Sequence, residues 1–144
     1  MGIRMYLPAH PLWLVGFRPC FALAMLSGLS LAVLWAFIHS GVIAAPANSF
    51  SMVQWHAHEM FFGFGWAVLG GFLLTSTKNW VGVRGYHGYA LMFLVSAWLF
   101  ERAGMWFGGN WPPLLFRISS NLFIVAIVAM LMWTLIRNRK ADSY

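Results

Sequence analysis

Trp55-His56-Ala57-His58-Glu59-Met60-Phe61-Phe62-Gly63-Phe64-Gly65-Trp66-Ala67 opens a long apolar run. It carries two of the chain's five histidines and one of its three acidic residues. Ionisable groups inside such a run are costly in a bilayer, so they mark a site with a job. Whether the run crosses a membrane decides the fold.

Composition answers that. Of 144 residues, 61% are hydrophobic and only 8% charged. A soluble domain carries about 25% charged residues. The nine Trp are also abundant, and Trp favours membrane–water interfaces. The net charge of +6 does not indicate nucleic acid. The basic residues are few and sit at the ends of apolar runs, where the positive-inside rule accounts for them. Cys20 is the single cysteine, so no intrachain disulfide forms. The N-terminus lacks a small-residue cleavage site after a short apolar core, so it does not read as a signal peptide.

Four spans follow, at about 20–45, 55–77, 86–107 and 114–136, in a single membrane domain covering 1–144. Each has the roughly 20 apolar residues needed to cross. Residues 1–18 are broken by Pro8 and Pro11 and read as a short interfacial segment anchored by Trp13. Residues 46–54, 78–85 and 108–113 are turns by their Pro, Gly, Asn and Ser content. The fold class is therefore all-α, a four-helix antiparallel membrane bundle. Arg4, Arg18, Lys78, Arg84, Arg137, Arg139 and Lys140 fall on one side, which is seven of the nine basic residues. That places both termini in the cytoplasm. The expected location is a bacterial inner membrane, multi-pass, with membrane lipid as surroundings.

In this topology the polar groups gather in the outer half. His39 ends the first span, and His56, His58 and Glu59 begin the second. Glu101 and Arg102 lie late in the third, and Arg117 early in the fourth. At 100° per residue, His56, Glu59, Met60, Gly63, Ala67, Gly70 and Gly71 share an arc of about 120°. Gly63, Ala67 and Gly71 are four apart, a small-residue seam that lets backbones approach. His58 points about 160° from His56, so the two do not readily share one metal ion.

Four chemistries suit the cluster. A b-type haem would use His39 with His56 or His58, and Arg102 and Arg117 for its propionates. Copper would use His56, His58, Met60 and Glu59, with Met52 and Met105 nearby. A proton path would use Glu59, Glu101 and the histidines, as in a small transporter. In the plain structural alternative, Glu59 and Glu101 simply pair with Arg102 and Arg117. His10 reads as an interface residue, and His87 lacks a histidine partner at its depth other than His10. Gly82-Val83-Arg84-Gly85 lacks the spacing of a phosphate loop. No nucleophile–base arrangement is visible, and no reaction is assigned.

Three stretches resemble the NnrS family: His10-Pro11-Leu12-Trp13-Leu14-Val15-Gly16-Phe17-Arg18-Pro19, then Trp55 through Phe64, then Gly71 through Thr75 with Asn79-Trp80-Val81-Gly82. The chain is similar to a short form of that family, about a third of its usual length. The resemblance implies a bacterial inner-membrane protein that binds haem and copper and serves nitric-oxide or nitrogen-oxide stress, or denitrification. The alternative reading is a cofactor-free accessory subunit of a larger respiratory-type membrane complex. Against the family's usual length, the chain reads as a short member, a fragment, or a protomer whose homo-oligomer or larger membrane complex supplies further helices.

Overall fold

A computed structural model describes residues 10–46 and 50–138. Among them the chain is all-helical, with four helices long and apolar enough to cross a membrane. The first is Phe17–His39, the second Met52–Val81, the third Tyr89–Phe107 and the fourth Pro113–Arg137. Arg4, Arg139 and Lys140, which the topology argument used, lie outside the described residues, as do 47–49 of the first turn.

Neighbouring helices run antiparallel, as paired contacts show. Along the first and second helices, Gly16 meets Leu74, Cys20 meets Gly71 and Trp35 meets His56. Along the second and third, Glu59 meets Arg102 and Gly63 meets Trp98. Along the third and fourth, Gly104 meets Ser119, and Tyr86 just ahead of the third helix meets Met130. The small seam of the second helix does the close packing. A Cβ on Gly71 would stand 2.7 Å from Cys20 Cβ, and one on Gly70 would stand 2.6 Å from Ile127 Cδ1. The seam thus lets the second helix touch both the first and the fourth. Ala24, Ala67, Leu74, Leu91, Leu94, Phe123 and Ile127 are buried between them. The outward faces are apolar, with Met25, Leu29, Val53 and Leu114 exposed, as suits lipid contact.

Helix ends differ from the sequence expectation for local reasons. The first helix stops at His39, six residues before the expected 45. Gly41 adopts φ 74°, and the amides of Gly41 and Val42 donate to Ile38 and Phe37 carbonyls at 3.0 and 2.9 Å. That is a Schellman stop, which needs a residue at ease in the left-handed region. The second helix starts at Met52, three residues early. Ser51 and Gln54 form a capping box there, each side chain bonding the other's backbone. The third helix starts at Tyr89, because Gly88 takes φ 59°, ψ −127° and bonds its amide to the Trp13 carbonyl at 2.7 Å. Pro113 opens the fourth helix, where its missing N–H costs nothing.

The lead segment folds onto this end of the bundle. His10 Nδ1 caps a short turn at Pro11–Trp13, and Trp13 is half-buried against the core. Arg18 donates to the Pro11 carbonyl at 2.8 Å, and the Phe17 amide donates to Thr75 Oγ1 at 3.0 Å.

Gly88→Ala should be the costlier of two glycine replacements in the turns. An L-residue there costs about 1–2 kcal/mol or more. Gly41→Asn should cost less, since Asn visits the left-handed region. Unfolding titrations in mixed micelles would show the order, and equal stability of the two variants would contradict it.

Candidate functional site

The second helix widens where its ionisable residue enters the bundle. Between Met52–His58 and Trp66–Val81 lies a π-helical stretch, Glu59–Gly65. There the Trp66 amide reaches back five residues to the Phe61 carbonyl. In an α-helix, positions four apart overshoot a full turn by about 40°. In a wider π turn the same step falls short instead. The stretch therefore cancels the drift and keeps Trp55, Glu59, Gly63 and Ala67 on one buried line. Met60 leaves that line and is 42% exposed, although the uniform helical phase put it there.

Arg102 of the third helix meets this line. Its guanidinium stands 3.2 Å from Glu59 Oε2 and 2.8 Å from Glu101 Oε1. Both carboxylates are buried, Glu59 at 4% and Glu101 at 1% exposure. Gly63 makes room: a Cβ there would collide with Arg102 Nη1 and lie 3.3 Å from Cζ. Trp98, one turn earlier on the third helix, covers the guanidinium with its ring, 5.2 Å from centroid to Cζ. Its indole N–H donates to the Gly63 carbonyl at 2.9 Å. One ring and two carboxylates thus surround one cation between two helices. A cleft of about 220 Å³ adjoins it, walled by Trp55, Trp98 and Trp106 and by Ser27 and Ser30 of the first helix.

The histidines lie around this lock and do not converge. His56 is half-buried against Trp35 of the first helix, with ring centroids 4.3 Å apart. His39 is exposed and stacks on the same Trp35 at 6.1 Å. Trp35 thus brings His39 and His56 into one neighbourhood. His58 turns elsewhere, to Phe62 at 4.6 Å and Phe50 at 6.1 Å, with Glu59 Oε1 3.9 Å from its Nδ1. Among the described residues, the buried Nδ1 atoms of His56 and His58 have no hydrogen-bond partner, nor has Trp55 Nε1. Arg117 is exposed, and no ion pair of its guanidinium is found among the described residues.

A haem and a copper ion place different demands on these residues. The copper donors do not fit one ion. Glu59 is held by Arg102, Met60 faces out, and His56 and His58 have separate surroundings. Among the described residues no group of three His, Cys, Asp or Glu gathers as a metal set. A haem fits better, because it needs only one or two imidazoles in apolar surroundings. The His56 Nδ1 is buried without a hydrogen-bond partner among the described residues. Sequence reasoning overlooked Trp35 and Trp98, although each precedes an anticipated site residue by four positions and so shares its face.

Four helices long and apolar enough to cross a membrane, two of them joined by a buried carboxylate–guanidinium lock, define a multi-pass membrane protein. Within that class the family model described as NnrS protein matches residues 11–144. The chain belongs to the NnrS family. No curated protein and no solved structure matches it.

Arg102→Met should destabilise the bundle by about 3–5 kcal/mol, because it strands two buried carboxylates. Adding Glu59→Gln and Glu101→Gln should return much of that loss. A mutant cycle read by unfolding in micelles would show this coupling, and strict additivity would refute the lock.

Proposed function

We propose that this protein serves nitric-oxide or nitrogen-oxide metabolism at the bacterial inner membrane, as a haem-binding member of its family. The NnrS match supports the nitrogen-oxide context. One structural observation supports the haem reading: a buried imidazole nitrogen on His56 without a hydrogen-bond partner among the described residues, at the bundle end where His39 and His56 flank Trp35. His56, held by Trp35, is the first residue that would hold the haem; His39 shares its neighbourhood and His58 lies apart. The exposed Arg117 suits a propionate, as a cation not paired to a carboxylate among the described residues. Arg102 was also a sequence candidate for this task, but its guanidinium is already shared by two carboxylates. A b-type haem bound here would supply an iron that takes a diatomic gas such as nitric oxide.

The chain's own residues do the remaining work. Trp35 fixes the His56 ring from the first helix. The Arg102 lock fixes the second helix against the third, and so sets the depth of His56 and His58. His39 lies at the surface, so a second copy or a larger membrane complex would complete the cover over this end. With the positive-inside orientation, that end is periplasmic. Copper through His56, His58, Met60 and Glu59 finds less support, since those donors diverge. Transport through Glu59 also finds less support, since Arg102 holds that carboxylate.

Purified protein, titrated with haemin, should develop a Soret band at fixed stoichiometry. His56→Ala should weaken haem binding by at least about tenfold, whereas His10→Ala should not. Absence of the band would overturn the haem reading.

A further inference from the structure

The opposite end of the bundle carries a feature unrelated to the histidines. The linker 82–88 passes between two cavities. One, of about 440 Å³, has Lys78 and Arg84 on an apolar floor that includes Leu74 and Tyr86. The other, of about 320 Å³, has Arg84 again, with Arg137 and Trp133. Arg84 and Tyr86 are shared walls. The linker is firmly placed. Tyr86 donates to the Met130 carbonyl at 3.0 Å and accepts from Thr134 Oγ1 at 3.2 Å. The Gly88 amide donates to the Trp13 carbonyl. Arg137 rests over the Trp133 ring at 5.8 Å.

Among the described residues, this end has cations without acidic partners. The chain's acidic residues are Glu59, Glu101 and Asp142. The first two are locked with Arg102 at the other end, and the third lies outside the described residues. No acidic side chain faces Lys78, Arg84 or Arg137 among the described residues. Basic pockets between membrane helices at this depth suit phosphate head groups. Each cavity also offers apolar wall below its charges, which suits acyl chains rather than a free anion.

We propose that this end binds one anionic membrane lipid with two phosphates, a diphosphatidyl lipid of the cardiolipin type. Arg84 lies between the phosphates. Lys78 completes one phosphate site and Arg137 the other. The fixed linker sets their separation before the lipid arrives.

The experiment uses the full chain, delipidated in detergent and followed by native mass spectrometry. The probes are tetraoleoyl cardiolipin, dioleoyl phosphatidylglycerol and inorganic pyrophosphate. Cardiolipin should bind about five- to tenfold more tightly than phosphatidylglycerol, the gain expected from a second phosphate on a basic site. Arg84→Gln should abolish that preference. Joint replacement Lys78→Gln and Arg137→Gln should do the same with Arg84 left in place. Because these side chains are exposed, each variant should keep wild-type helicity. Equal affinity for the two lipids would overturn the proposal. So would a preference that survives in the well-folded Arg84→Gln protein. Displacement of cardiolipin by pyrophosphate at matched concentration would reassign the site to a free phosphate anion, and would overturn it too.

Discussion

Arg102 is the constraint on which the other arrangements of this bundle depend. A guanidinium in a membrane interior is tolerated when charge and hydrogen bonding are met inside the protein. Here Glu59 and Glu101 meet the charge, and Trp98 lies over the guanidinium. Each partner imposes a condition on the backbone. Glu59 must keep the depth of Arg102, which fixes the register of the second helix against the third. Gly63 must stay bare, since a side chain would occupy the space the guanidinium takes. The π-helical stretch Glu59–Gly65 keeps Glu59 and Gly63 on the line that Trp55 and Ala67 also occupy. A uniform α-helix would carry successive members of that line around its surface. Irregular helix here is a requirement of the lock.

The four spans were legible because apolar length is a coarse quantity that survives local detail. Most of their ends were not. Gly41 and Gly88 were visible as glycines, yet composition does not say which glycine takes a positive φ. Hydropathy carried the first span past Gly41, where backbone geometry stops it. Ser51-Met52-Val53-Gln54 was read as loop by content, although its Ser and Gln sit at capping-box spacing. The site was partly legible. Helical phase separated His56 from His58, and their surroundings are indeed distinct. The same phase placed Met60 with Glu59, and the π turn moved it out. Trp35 and Trp98 escaped notice because aromatic residues are abundant in this chain. Their role depends on a contact across helices.

The bundle divides its labour along its length. At one end, aromatic rings hold imidazoles and a buried ion lock. In the middle, Gly70 and Gly71 let the second helix touch the first and the fourth. At the other end, the lead segment, the 82–88 linker and the last turn of the fourth helix meet around exposed cations. The small middle is what permits the two ends to differ. Close backbone packing holds the helices together without polar groups, so polar residues are released for tasks at either end.

Charge counting explains why the two arginines of the histidine end part ways. Sequence alone allows Glu59 and Glu101 to take one arginine each. The structure gives both to Arg102. Glu101 is its chain neighbour, and adjacent residues on a helix do not normally face each other. The long arginine side chain must therefore fold back to reach that carboxylate, and the bare surface of Gly63 gives it the room. Once Arg102 is so placed, Arg117 has no buried carboxylate left to meet. Moving Arg102 to serve an external anion would leave two carboxylates uncompensated in an apolar interior, a far larger cost than exposing Arg117. Among the described residues, the cation at this end left to meet an anionic group is thus set by where the buried acids are. Arg102 belongs to the frame, and Arg117 to whatever the frame presents.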